Sequence, residues 1–315
     1  SRQEVIIAPA QGQEIMPGTF IGAGVKLEQI VRSVDEALMG RLRSAMSDNQ
    51  AAMERRDLLS QIESIHNELT DEGLNSQLSE FFNSWSQLAN NPGDNSLRTL
   101  VVQQGQNLSD YIRDLHSRLT TLRQQVDGAL RGNVNSANGL LDQIAQLNND
   151  IARTERGQGS ANSLRDERDR LLNDLSELVD ISTVEQTNGT VDVFIGSTPI
   201  VLGSSSRGLR LEFQGEGADL EPQLRVDADG TFLQPSSGKI GQLMTSRRQD
   251  MVAAIDALSE FTGQLIFQVN RVHSQGQGKE HLSSVTGRYA VDDTTAGLAA
   301  AAADLPFQPV HGSFQ

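Results

Sequence analysis

The sequence predicts a mainly α-helical protein with a smaller β portion, an α+β fold built on an elongated, coiled-coil-like bundle of several helices. An apolar seam repeats in steps of four and three residues from Leu108 to Ile151. No proline interrupts the chain between Pro92 and Pro199. At about 1.5 Å per residue the seam predicts a helix roughly 65 Å long, which suits reach and assembly better than an enclosed active site.

The composition excludes several classes of protein. A chain of 315 residues is long enough to form two or more domains. The net charge of -15 argues against nucleic acid and anionic membranes as partners. The absence of cysteine removes disulfides, thiol catalysis and thiolate zinc sites, and no apolar run approaches the length of about 18 residues that a membrane span needs.

The first element is an extended N-terminal segment, residues 1–33, with β-type runs at 5–7 and 25–31. A helix is then predicted to begin near Ser33, with this serine as its cap, and to end at Gly73. Its apolar positions are Leu38, Leu42, Ala45, Met46, Met53, Leu58, Leu59, Ile62, Ile65 and Leu69.

A second helix is predicted over residues 75–89, followed by a turn at 90–94 and by the long helix, which starts near Ser96. On the second helix, Phe81, Phe82 and Trp85 share one face, which either packs inside the protein or forms a docking surface. The seam of the long helix shifts phase around Asn133. It comprises Leu108, Ile112, Leu115, Leu119, Leu122, Val126, Ala129, Val134, Ala137, Leu141, Ile144 and Ile151. Asn133 and Asn148 near the seam indicate control of register.

A shorter helix follows the loop at residues 157–160 and runs to about residue 180, with Leu164, Leu171, Leu175 and Leu178 on one face. Within it, residues 165–174 alternate arginine with aspartate and glutamate. This run is either a solvent-facing helix with weak, spaced ion pairs or a contact for a neighbouring subunit. The candidate contact residues are Arg165, Asp166, Arg168 and Asp169.

Residues 181–235 form the predicted β-hairpin region, because alternating runs flank Asn188-Gly189, a pair suited to a turn with two central residues at positive φ. Helical spacing returns from Ile240 to Val272. The predicted organisation is an extended segment (1–33), a long-helix bundle (34–180), the β-hairpin region (181–235), a returning helix on the bundle (236–275), and a linker with the start of a truncated outer β domain (276–315).

Four ordered motifs resemble the FlgK family, the flagellar hook-associated protein 1 family. They are EFFNSWSQLANNP at 80–92, IAQLNNDI at 144–151, LRDERDRLL with LSELV at 164–179, and VEQTNGTV at 184–191. The resemblance covers about residues 1–275. It implies a chain without the family's terminal helical arms, which polymerise along the flagellar axis and hold the secretion and chaperone signals.

The resemblance implies a structural, non-enzymatic component of the bacterial flagellum that connects the hook to the filament by subunit packing of helical rods. The implied partners are other copies of itself, the hook protein, the next hook–filament junction protein and an export chaperone. The implied location is extracellular, after export without a cleaved signal peptide. The alternatives are a secreted helical binding module, either a chemoreceptor-type ligand domain or an adhesin stalk, and an enzyme with activity in the β region.

Motifs for cofactors and metals are weak, so we expect none. The five histidines form no His-Glu-x-x-His arrangement. Residues 276–280 are similar to a phosphate loop, but Glu280 occupies the position that needs serine or threonine, so a linker is the better interpretation. Residues 227–230 hint at a calcium loop but read as an ordinary turn, since Arg225 stands where a carboxylate should open the loop.

Overall fold

The computed structural model divides the chain into two compact units, Ser1–Ala254 and Ile255–Gln315. The fold is mainly helical with small antiparallel sheets, which confirms the predicted fold class. The structure describes residues 2–10, 13–16, 19–21, 24–66, 73–156, 161–215, 220–275, 291–293 and 295.

The N-terminal segment is extended, as its β-type runs predict. Four strands lie there: β1 (Arg2–Pro9), β2 (Gln13–Met16), β3 (Thr19–Ile21) and β4 (Val25–Ser33). Strand β1 pairs antiparallel with β4, with a register shift between Ile6 and Ile7, and β2 pairs with β3. We call the β1–β4 pair the N-terminal ribbon.

Helix α1 (Glu36–His66) begins close to the predicted start, but its cap is Asp35 and not Ser33. The Asp35 carboxylate accepts a hydrogen bond of 3.0 Å from the Leu38 N–H. The predicted apolar face is wrong in part. The buried side chains of α1 are Arg43, Ser47, Ala51 and Leu58, whereas Leu38, Leu42, Met53 and Leu59 are exposed. The predicted end of this helix, including Leu69, lies outside the described residues.

Helices α2 (Leu74–Asn90) and α3 (Asn95–Glu155) pack against each other across the predicted turn. Asp94 caps α3 by accepting a hydrogen bond of 2.7 Å from the Ser96 N–H. With 61 residues, α3 is roughly 90 Å long, which confirms the long helix and extends it. Gly73, predicted to end the first helix, precedes α2 as its N-cap.

The seam of α3 is continuous where the sequence suggested a phase shift. The buried residue is Leu130, and the predicted Ala129 is exposed. Val126, Leu130 and Val134 therefore follow each other at intervals of four residues. Such a stutter moves the buried stripe around the helix without breaking it. Asn148 occupies a buried position on the same stripe.

Three further helices follow: α4 (Asn162–Leu178), α5 (Gly238–Arg248) and α6 (Asp250–His273). Helices α1 and α3 both pack against α4 and α5. The single helix predicted from Ile240 to Val272 is divided at Gln249. At this break the Asp250 carboxylate accepts hydrogen bonds from Ser246 Oγ at 2.7 Å and from Arg55 Nη2 at 3.1 Å.

The β region comprises two antiparallel sheets. One has the order β5 (Ser182–Glu185), β6 (Val191–Ile195), β7 (Thr198–Leu202) and β8 (Ser205–Ser206), and the other the order β11 (Phe232–Leu233), β10 (Glu221–Val226) and β9 (Leu209–Gln214). The predicted hairpin at Asn188-Gly189 is confirmed, but its loop is longer than two residues. Gln186 N–H donates to Thr190 O at 2.8 Å, so Gly189, at φ +82°, is the third residue of a three-residue loop.

Asn138 attaches strand β9 to α3. Its amide Nδ2 donates to Leu209 O at 2.8 Å, and its Oδ1 accepts from the Leu209 N–H at 2.7 Å. One side chain thus bonds both backbone groups of a single residue, as a neighbouring antiparallel strand would.

We expect Asn138→Ala to lower the free energy of unfolding by about 2 kcal/mol, because both groups of Leu209 lose their partner. Chemical denaturation followed by far-UV circular dichroism measures the change. Asn135→Ala is the matched control, since Asn135 is exposed on the same helix. Equal stability of the two variants would show that Asn138 does not attach the strand.

Candidate functional site

The charged run of α4 lies at a junction between α3, the N-terminal ribbon, α1 and the β5–β6 hairpin. Arg168 is its centre, with only 1% of its surface exposed. Its Nη1 donates to Asn148 Oδ1 at 3.0 Å and to Gly189 O at 2.7 Å. Burial lowers the pKa of the Arg168 guanidinium to about 10, so it remains protonated at neutral pH.

Asn148 connects Arg168 to the β region by hydrogen bonds. Its Nδ2 donates to Val191 O at 2.8 Å and to Gly203 O at 2.6 Å, and its Oδ1 also accepts from the Val191 N–H at 3.1 Å. Because Asn148 is fully buried, these bonds fix the position of the sheet along the axis of α3. The structure thus gives Asn148 a role in helix–sheet register.

Asp169 joins two further elements to α4. Its carboxylate accepts from Arg43 Nη2 of α1 at 3.1 Å and pairs with Arg32 of the ribbon. Arg32 Nε also lies 3.0 Å from Asp166 Oδ1. Arg43 donates further hydrogen bonds to Asn173 and to Thr183 of β5, and burial lowers the pKa of its guanidinium.

Arg165 forms the outer part of the same junction. Its Nε and Nη2 donate to the two carboxylate oxygens of Glu155 at 2.8 and 2.9 Å, and Nη1 pairs with Glu185 of β5. This two-point contact lowers the pKa of the Glu155 carboxyl and raises that of the Arg165 guanidinium. We call Arg32, Arg43, Asn148, Glu155, Arg165, Asp166, Arg168, Asp169 and Glu185 the charged node.

The Glu155 carboxylate should make stability depend on pH. Its pKa is lower in the folded than in the unfolded chain, so its contribution is fully present above about 4.5 and is lost as the pH falls through the folded pKa. Glu155→Gln is therefore expected to cost about 1 kcal/mol at pH 7 and progressively less in acid. Denaturant titrations of both proteins from pH 7 to pH 3 measure this difference, and a constant difference would contradict the assignment.

The interpretation of the charged run as a solvent-facing helix face is wrong at its centre. Arg168 is buried, and Arg165, Asp166 and Asp169 are partly buried in pairs that join different elements of the chain. The sequence contains a signal for this. Arg168 lies four residues after Leu164 and three before Leu171, so it occupies a position on the apolar face of α4. Its contacts are internal, and whether Arg165, Asp166 or Asp169 also touches a neighbouring subunit stays a prediction.

The second predicted site is the aromatic cluster of α2. The Phe81 ring lies edge-on to Phe82 and Trp85, with centroid distances of 5.3 and 6.3 Å. Phe81 is buried against α3, where a Cβ at Gly105 would lie 3.4 Å from the ring. Phe82 is 49% exposed, so the cluster combines a packed ring with an accessible one. A docking role for this accessible face stays a prediction.

A groove of about 890 Å³ lies between α1 and residues 236–242. Charged side chains of both signs, Asp48, Arg55, Arg56 and Glu63, line its α1 side together with Leu59. Ser237 Oγ crosses the groove and donates to Asp48 Oδ1 at 2.7 Å. Because this lining carries charges of both signs, it suits the attachment of α1 to residues 236–242 better than the binding of a small apolar ligand.

Within the described residues, no three histidine, cysteine, aspartate or glutamate side chains are grouped so that they could hold a metal ion. The turn at residues 227–230 holds Asp229 paired with Arg207 and accepting from the Thr231 N–H at 3.1 Å. Residues 276–280 lie outside the described residues. Among the described parts of the chain, none of the helices combines sufficient length with sufficient apolar character to cross a lipid bilayer.

Comparison with known proteins gives consistent matches. Residues 59–284 match the family described as the flagellar hook-associated protein FlgK helical domain. Flagellar hook-associated protein 1 of Escherichia coli (strain K12) is 27% identical over 88% of this chain and 52% of its own length. The Bacillus subtilis (strain 168) protein of the same name is 33% identical over 54% of this chain and 33% of its own length. The chain thus spans about half the length of the first of these relatives.

A solved structure shares the fold. The flagellar hook junction protein FlgK from Burkholderia pseudomallei superimposes with a TM-score of 0.58 at 24% identity, covering 66% of this chain and 39% of that one. The family match covers well over half of the chain. The chain therefore belongs to the flagellar hook-associated protein FlgK family and contains the helical domain of that family.

Proposed function

We propose that this chain is part of a structural component of the bacterial flagellum, a junction protein that connects the hook to the filament. The observation that carries the proposal is the match of residues 59–284 to the FlgK helical domain. The same match favours this function over a chemoreceptor-type ligand domain, an adhesin stalk or an enzyme.

The architecture supports a mechanical role. Helix α3 is a 61-residue rod whose buried seam is lined by Leu, Ile, Val and Ala along most of its length. The charged node ties α1, α3, α4, the ribbon and the β5–β6 hairpin to one another. A unit fixed by buried hydrogen bonds and ion pairs deforms little, so it would transmit load between neighbouring subunits.

The proposed partners are other copies of the protein, the hook protein, the next junction protein and an export chaperone. The proposed location is the extracellular flagellum, reached without cleavage of a signal peptide. The net charge of -15 supports protein partners over nucleic acid or anionic membrane. Phe82 is our candidate for a subunit contact, because it is the exposed ring of the aromatic cluster.

We also propose that the chain is organised functionally as an extended segment (1–33), a long-helix bundle (34–180), a β-hairpin region (181–235) and a returning pair of helices (236–275). The observation that supports this division is the change of secondary structure near each boundary up to residue 275.

Site-directed photo-cross-linking in assembled flagella tests the proposed function. A photo-reactive phenylalanine analogue at Phe82, or a benzophenone on Arg113→Cys of α3, should link the full-length protein to another copy, to the hook protein or to the next junction protein. Both positions are exposed, so the probes should leave the fold intact. Immunogold labelling should place the protein between hook and filament. A protein found elsewhere, without these cross-links, would refute the junction role.

A further inference from the structure

The N-terminal ribbon has an aliphatic face that the chain leaves uncovered. In β1, Val5 and Ile7 lie on the same side of the ribbon. Ile7 pairs with Leu27 and Pro9 with Val25, so Leu27 and Val25 of β4 lie on that side too. Val5, Ile7, Val25 and Leu27 are 58%, 59%, 67% and 60% exposed. The opposite side carries Glu4 and Lys26 as well as Ile6. These four aliphatic side chains therefore share one side of the ribbon and face solvent.

Helix α1 has a second apolar stripe, on the side away from its packed face. The packed face contains Arg43, Ser47, Ala51 and Leu58, whereas Leu38, Leu42 and Met53 lie on the opposite side of the helix at 56%, 44% and 41% exposure. Between residues 38 and 53 the positions on this outer side are Leu38, Leu42, Ala45, Asn49 and Met53, none of which is charged, and Arg56 follows on the same side. An apolar stripe exposed along one side of a helix indicates a surface that a partner can cover.

We propose that these two surfaces bind each other between copies: the ribbon face of one chain lies on the outer stripe of α1 of the next. The proposal rests on the proposed function, which places many copies side by side. Because the ribbon and the helix are different surfaces, a head-to-tail arrangement leaves every copy with one free surface of each kind for the next copy.

Charge and size favour a second copy as the occupant. Chains with a net charge of -15 repel each other, so copies should meet where both surfaces are uncharged. Four partly exposed aliphatic residues supply only part of the roughly 800 Å² per partner found in stable pairs. The contact is therefore too small for a dimer in solution and forms in the polymer, where each copy is held by its neighbours on both sides.

Cysteine cross-linking in assembled flagella tests the contact, and the absence of cysteine from this chain makes single probes unambiguous. Two full-length proteins with different tags are co-expressed, one with Ile7→Cys and one with Leu42→Cys as its single cysteine. The assembled flagella are treated with a flexible bismaleimide. The expected product contains both tags. Ile6→Cys with Leu42→Cys is the control, since Ile6 is 44% exposed on the other side of the ribbon. We expect it to give about tenfold less product.

A charge pair provides the second test. Ile7→Glu places a carboxylate in the apolar contact and is expected to reduce incorporation at the junction by about tenfold, whereas Ile6→Glu leaves it unchanged. Adding Leu42→Lys to Ile7→Glu should restore incorporation, because the new charges lie opposite each other between copies. The native side chains of Ile6, Ile7 and Leu42 are exposed, so the unfolding midpoints of the purified variants should match that of the parent protein.

Three results would overturn the contact. They are equal product from the Ile6 and Ile7 probes, no product with both tags from the Ile7 and Leu42 probes, and normal incorporation of Ile7→Glu. In each case the protein itself would still be found between hook and filament, so the proposed function would stand. Absence of the parent protein from that position would refute the proposed function and the contact together.

Discussion

Replacing Arg168 with alanine is expected to lower the free energy of unfolding by about 3–5 kcal/mol, because two buried acceptors lose a charged donor and a large buried side chain is removed. The Gly189 carbonyl would lose its 2.7 Å hydrogen bond and Asn148 Oδ1 its 3.0 Å bond, in a site closed to water. The side chain is also one of the largest that is fully buried, so alanine leaves a cavity.

Denaturant unfolding followed by far-UV circular dichroism measures this loss. Arg170→Ala is the matched control, because Arg170 lies on the same helix with an exposed side chain. Its replacement is expected to change stability by about 0.5 kcal/mol or less. If the two variants unfold at the same denaturant concentration, Arg168 does not hold the β5–β6 hairpin to the bundle.

Arg168→Met separates the charge from the hydrogen bonds. Methionine fills much of the same space and removes the buried cation, whose desolvation lowers the pKa of the native guanidinium to about 10. It still leaves the Gly189 carbonyl unpaired, so we expect a loss of about 1–3 kcal/mol. A variant as stable as the parent would mean that the hydrogen bonds of Arg168 only offset the cost of burying its charge.

The helices and the hairpin could be predicted from the sequence because their signals are local. The steps of four and three residues and the turn at residues 90–94 define α3, and Asn188-Gly189 marks the loop between β5 and β6. The position of Leu130 was missed because a strict heptad puts Ala129 on the seam, whereas the helix accommodates a step of four. Apolar spacing thus predicts that a helix forms more reliably than it predicts which residues of the helix are buried.

The charged node could not be predicted from the same signals. Its members lie far apart in the sequence, as in Arg43 with Asp169 or Arg32 with Asp166. A run that alternates arginine with carboxylates looks the same whether it faces water or other elements. The buried face of α1 was missed for a related reason, because Arg43, Ser47 and Ala51 carry little apolar surface while the leucines of that helix point outward.

Gly238→Ala is expected to lower the free energy of unfolding by about 3 kcal/mol. Gly238 has φ +74°, a conformation that costs a residue with a Cβ roughly 1–2 kcal/mol. The new Cβ would lie 2.6 Å from Val179 N and 2.7 Å from Leu178 C, where the start of α5 crosses the end of α4. Both are backbone atoms and cannot rotate away, so overpacking adds at least about 1 kcal/mol.

Gly139→Ala is the control for the same chemical change. Gly139 lies inside α3, and a Cβ there would meet no atom within 4 Å. Alanine in that position should raise stability by about 0.5–1 kcal/mol, since it favours the helix. The midpoints of thermal and of denaturant unfolding should therefore fall for Gly238→Ala and rise for Gly139→Ala. A Gly238→Ala protein as stable as the parent would contradict the close approach of α4 and α5.

Gly238→Asn distinguishes the two causes of the loss. Asparagine tolerates positive φ better than alanine, so it would recover stability if backbone conformation were the main cost. Its Cβ meets the same atoms of Leu178 and Val179, so we expect it to be at least as unstable as Gly238→Ala. Since α5 packs against α1, α3 and α4, a forced shift of its first turn would disturb the bundle at the point where the β region returns to it.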